Sequence, residues 1–121
     1  MTTATGHTNA IRAGRAIGTN VYDRQGQKIG EVKDIVLEKT SNSILFAIVS
    51  FGGMLGIGEK YHPVPWAELD YDEKQDGYVV SFSEDQLRQA PADSLEALTK
   101  NDGRAFRDRA YQHYGTEPYW H

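Results

Sequence analysis

The stretch Ile29 to Phe51 reads IGEVKDIVLEKTSNSILFAIVSF, and its reading decides the fold. In its first half Ile29, Glu31, Lys33, Ile35 and Leu37 share one parity, and Val32, Asp34 and Val36 share the other. Neither parity is cleanly apolar, so a bulge near Gly30 or Lys33-Asp34 is expected, as a bulge re-aims the side chains that follow it. Thr40-Ser41-Asn42-Ser43 has turn chemistry. Ile44 to Phe51 (ILFAIVSF) is a nearly continuous apolar run of strand length, expected at the centre of a sheet.

Working outward, Gly18 to Tyr22 is a short strand closed by the turn Asp23-Arg24-Gln25-Gly26. After Phe51 comes a glycine-rich loop, Gly52 to Gly58, carrying Met54, Leu55 and Ile57. Lys60 to Val64 is expected as a short edge strand, because Pro63 and Pro65 cannot donate to a ladder. Pro65 to Leu69 has the length of one helical turn. Asp70 to Asp72 and Tyr78 to Phe82 form a hairpin across Glu73 to Gly77. Short strands joined by loops this short imply a small antiparallel barrel.

The last third changes character. Ser83-Glu84-Asp85-Gln86 fits a capping box, so a short helix begins there, and Pro91 ends it. A longer helix is expected from about Asp102 to Tyr114, with Phe106, Ala110, His113 and Tyr114 on one face. Arg104, Arg107, Asp108 and Gln112 then point mostly elsewhere. Gly115 suits the position just past its end, and Pro118 follows. There is no internal repeat and no low-complexity segment.

Composition narrows the function classes. A chain of 121 residues with 39% hydrophobic and 25% charged residues can bury one core. It has no cysteine, which excludes a disulfide framework, a thiolate metal site and a cysteine nucleophile together. Met1 to Asn9 is polar, without the charged and apolar regions of a signal peptide. Charge is absent between Lys39 and Glu59, yet the continuous apolar part of that stretch is far short of the about 20 residues a spanning helix needs. The expectation is a soluble, cytoplasmic chain without membrane insertion. Net charge is −4, with eight acids against Lys60 and Lys74 over residues 59–85. That excess disfavours direct nucleic-acid binding, which wants the opposite sign. A local basic patch at Arg12, Arg15 and Arg24 stays open as an alternative.

The middle of the chain resembles the PRC-barrel family. The residues that carry the likeness are Ile17-Gly18-Thr19-Asn20-Val21-Tyr22-Asp23, Gly26 with Ile29-Gly30-Glu31-Val32, Ser50-Phe51-Gly52-Gly53, and Val64-Pro65-Trp66. It covers roughly residues 14–90, and the run from Gly-Gly-x-x-Gly-x-Gly to Val-Pro-Trp is its most specific part. Tyr114-Gly115-Thr116-Glu117-Pro118-Tyr119-Trp120 also looks like the tail of stand-alone bacterial members. Known hosts are the cytoplasmic part of the photosynthetic reaction-centre H subunit and the C-terminal domain of a ribosome maturation factor. The resemblance implies a compact β-barrel that docks on other macromolecules without chemistry of its own. The membrane helix of the first host and the extra N-terminal domain of the second have no counterpart in these residues.

Each motif that suggests chemistry also has a plainer reading. Gly53 to Gly58 has the span of a phosphate loop, but Glu59 stands where the lysine should be. Asp70, Asp72, Glu73 and Asp76 lack the closing glutamate and the glycine placement of a calcium loop, and read as a solvated hairpin turn. His7, His62, His113 and His121 include no pair at metal-binding spacing, so no metal site is expected. No serine sits in Gly-x-Ser-x-Gly, and pairing His62 with Glu59 or Glu68 as acid and base has no pattern behind it. No cofactor is expected. Met54, Leu55 and Ile57 either fold over the barrel end or form an exposed apolar patch that fills a groove on a second copy. The tail aromatics Tyr111, Tyr114, Tyr119 and Trp120 either pack in place or swap onto a neighbour.

The expectation is therefore an all-β fold, a small PRC-type antiparallel β-barrel at 14–90. A flexible segment at 1–13 precedes it, and a helical C-terminal extension at 91–121 packs on the barrel or on a partner subunit. The expected role is a non-enzymatic protein–protein interaction module, homodimeric, meeting its partner through Met54, Leu55, Ile57, Tyr114, Tyr119 and Trp120. The alternatives are a ribosome- or RNA-associated factor and an accessory to a membrane electron-transfer complex.

Overall fold

The computed structural model describes residues 10–51, 61–118 and 120. A one-turn helix α1 (Ala13–Ala16) leads into strands β1 (Asn20–Tyr22), β2 (Lys28–Glu38) and β3 (Ser43–Ser50). Strand β4 (His62–Val64), a 3-10 turn at Trp66–Glu68, and the hairpin β5 (Asp70–Asp72) and β6 (Gly77–Val79) follow. Helices α2 (Glu84–Arg88), α3 (Leu95–Leu98) and α4 (Arg104–Tyr114) complete the chain.

The strands form one six-stranded sheet in the order β4-β3-β2-β1-β6-β5. This corrects the expected closed antiparallel barrel in two respects. Among the described residues the sheet is open, with β4 and β5 at its two ends, and β1 pairs with β6 in parallel. The parallel pair arises because the chain passes through β2, β3 and β4 before β6 returns on the free side of β1. Parallel neighbours need a long connection of that kind. The fold is also not purely β, since α4 packs against β4 and β3.

Strand β2 slips register between Val32 and Asp34, where the mixed parity placed a bulge, and again between Val36 and Leu37. Two clusters result. Val21, Ile29, Val32, Ala47, Val49, Phe51 and Val64 build the larger one, with Leu87, Ala110 and Tyr114 from the helices. Leu45, Phe46, Ile48 and Leu98 form a second, with Phe106 and Val36 against it. Strand β3 therefore supplies alternate residues to both clusters, and burial on two faces explains its unbroken apolar run. It is second in the sheet, not central. Coverage rather than position makes it apolar.

The helices start where hydroxyls cap them. Ser83 Oγ accepts from Gln86 N at 3.1 Å, as the capping box predicts. Ser94 Oγ accepts from Ala97 N at 3.2 Å and opens α3, a helix the sequence reading did not identify. Gly115 closes α4 with φ 67°.

Candidate interaction surface

Two regions of the described residues bear on partner contact: the helix region that holds Tyr114 and Trp120, and the acidic hairpin. The first is α4 with the segment after it. Gly103 and Gly115 bracket this helix, and its contacts with β4 and β3 fix its face. Tyr114 is 7% exposed and lies 4.3 Å, ring to ring, from Phe82. Burial first, and then the nearby Glu68 carboxylate, push its hydroxyl well above the ordinary tyrosine range. Its ring thus contributes to the chain's own core. Thr116 Oγ1 donates to Glu68 Oε2 at 2.8 Å, tying the chain after α4 to the 3-10 turn. His113 Nε2 lies 2.8 Å from the Gln86 carbonyl, a link to α2.

Trp120 packs edge-on against Tyr111, with ring centroids 4.7 Å apart. The Arg107 guanidinium stands over the indole at 3.6 Å and also meets Asp108 Oδ1 at 3.0 Å. Arg107 is only 6% exposed, which corrects the expectation that it points away from the core side. The signal was present: 107, 110, 111 and 114 are spaced i, i+3, i+4, i+7, and all four are buried. A long arginine stem can line such a stripe while its head finds an aromatic face. Tyr114 and Trp120 therefore have separate ring partners within one chain. Met54, Leu55, Ile57 and Tyr119 lie outside the described residues.

The second region is the β5–β6 hairpin, which the strand order places at one end of the sheet. Asp70 and Asp72 share one face of β5, and Tyr71 takes the other. Trp66, Tyr78 and Tyr71 form a row, with centroid separations of 5.5 Å and 5.4 Å. Asp72 organises the turn by accepting from Lys74 N at 2.9 Å and from Gln75 Nε2 at 3.1 Å. The Gln75 bond, then the Lys74 amide, hold its carboxyl below the usual range. This matches the reading of these acids as a hairpin turn. Among the described residues no three metal-ligating side chains converge. His62 is 1% exposed and meets Phe51 edge-on at 5.2 Å, so it lies in the core.

Tyr71 donates its hydroxyl to Asp76, and that bond, with burial and the Asp76 charge behind it, pushes its pKa up to about 12. The neutral form is the one the fold favours. Its contribution is complete below the ordinary value of 10.0 and is lost as pH rises through about 12. In an ultraviolet titration of the phenolate band, Asp76→Asn should bring one late-ionising tyrosine down toward 10.0. Tyr71→Phe should delete that same step. An unchanged Asp76→Asn curve, with Tyr71→Phe deleting a step near 10.0 instead of a late one, would mean that the hydroxyl and carboxylate do not meet in solution.

The family model for the PRC-barrel domain matches residues 9–87, which takes in every strand of the sheet and ends within α2. No curated protein matches the chain. With a match over well more than half of its length, the chain belongs to the PRC-barrel family.

Proposed function

We propose that this protein is a docking module without chemistry of its own, which self-associates as a homodimer and holds a protein partner in the cytoplasm. The observation that carries the partner-holding part of the reading is the open sheet: β5 pairs with β6 on one side and with no other described strand. An unclosed edge leaves backbone donors and acceptors for another chain, while the polar side chains nearby serve the turn. The family match supports a small interaction module. No helix among the described residues is long and apolar enough to cross a membrane.

The dimer contact is assigned to Met54, Leu55 and Ile57, three apolar side chains set among four glycines in the sequence, together with Tyr119 and Trp120 from the tail. Light scattering across a concentration series tests it. The wild type should move from monomer to dimer, and Leu55→Asp should stay monomeric with its far-ultraviolet circular dichroism intact. A wild type that remains monomeric at millimolar concentration would remove the dimer from the proposal.

A further inference from the structure

The two ends of the sheet are not equivalent. At the β4 end Pro63 has no N–H to offer. Just before it, Tyr61 and Asp93 exchange two backbone bonds of 3.1 Å and 3.0 Å, and α4 packs against β4. That end is closed. The β5 end carries no proline, no glycine and no register shift, and β6 is its sole strand neighbour among the described residues.

We infer that the β5 edge takes up an extended, basic segment of a partner protein, whose backbone adds a strand beside Asp70–Asp72. The inference rests on the docking reading above and names the chemistry of the partner. Alternation along a strand sets the sequence it would select. Residues flanking Asp70 and Asp72 should be lysine or arginine. The residue between them lies beside Tyr71, a residue 42% exposed that offers an apolar or cation–π face. Glu68, Glu73 and Asp76 add to the negative field, against Lys74 alone over residues 68–76. A second copy does not fit here, because pairing β5 with β5 sets aspartates against aspartates, and like charges across a ladder are destabilising. The same acids that keep the edge from pairing with itself select a cationic strand.

The test is fluorescence anisotropy with a labelled peptide of alternating lysine and valine. One control peptide replaces lysine by glutamate. Another keeps the lysines but puts proline between them, removing alternate N–H donors while conserving charge. Saturable binding of the lysine–valine peptide alone is expected. Asp70→Lys should weaken it roughly fivefold or more, since it turns one exposed attraction into a repulsion. Asp70 is exposed and outside the turn bonds of Asp72, so the melting temperature should hold. Hydrogen exchange should show new protection at the β5 amides. Equal binding of the proline peptide would reduce the effect to bulk charge and overturn the proposal. So would an unaffected Asp70→Lys protein, or protection confined to another strand. Light scattering on the same samples separates the two readings: a dimer without peptide binding removes this site only, and neither removes both.

Discussion

Ending the chain at residue 90 is expected to unfold the sheet rather than trim it. The matched family segment stops at residue 87, so the rest could be taken for an appendage. The packing says otherwise. Leu98 is fully buried with Phe46, Leu45 and Ile48, and Ala110 and Tyr114 belong to the larger cluster. Phe106 packs on the second cluster, so α4 reaches both and joins them beside β4. Removing this segment also deletes Asp93, the backbone partner of Tyr61. Small domains carry a net stability of only about 5–15 kcal/mol, and losing several buried side chains at once exceeds that margin. The truncated chain should show no cooperative urea transition. Leu98→Ala in the full chain should lower the unfolding free energy by about 2–5 kcal/mol, from the lost transfer energy and the cavity left against Phe46. A truncated chain with a sharp, unshifted transition would show that the sheet stands alone and that α3 and α4 are accessories to it.

That dependence was only partly legible in the sequence. Strand β3, the bulge after Val32, the edge position of Pro63, the Ser83 cap and the Gly115 stop all follow from local chemistry, and the structure has each of them. Local chemistry does not specify pairing partners. The parallel contact of β1 with β6 joins residues more than fifty positions apart, and no period or turn between them encodes it. Helix α3 escaped notice because a four-residue helix shows no periodicity, although Ser94 capping Ala97 is the usual start signal. For Arg107 the charge suggests solvent, whereas its spacing with Ala110, Tyr111 and Tyr114 is what matches its burial. At the hairpin, the aspartates were legible as turn residues. Their place on the open end of a sheet depends on strand order, a property of the whole fold.

Strand contact inside the sheet, where β2 lies between β3 and β1, gives the second large effect, at Gly30. It pairs with Val21 on one side, and a Cβ built there would overlap the Ser50 carbonyl oxygen and sit 3.0 Å from Phe51 Cδ1. The need is for space rather than for unusual torsion, and the obstructing atom is backbone, which cannot rotate away. Gly30→Ala should therefore push β3 from β2 beside the larger cluster, and destabilise the protein by about 1–3 kcal/mol in urea denaturation. Gly14 supplies the contrast: it lies in α1 with open space around its Cβ position. There alanine should be neutral or raise stability by about 0.5–1 kcal/mol, because glycine is a poor helix former. Ser50 and Phe51 are also the last described residues before the segment 52–60, which carries Leu55. If self-association uses that segment, moving Ser50 and Phe51 should weaken the dimer more than the loss of stability alone explains. Dimerisation that survives Gly30→Ala unchanged at a temperature where both proteins are folded would place the contact away from residues 52–58. A Gly30→Ala protein as stable as the wild type would mean that β2 and β3 do not approach this closely in solution.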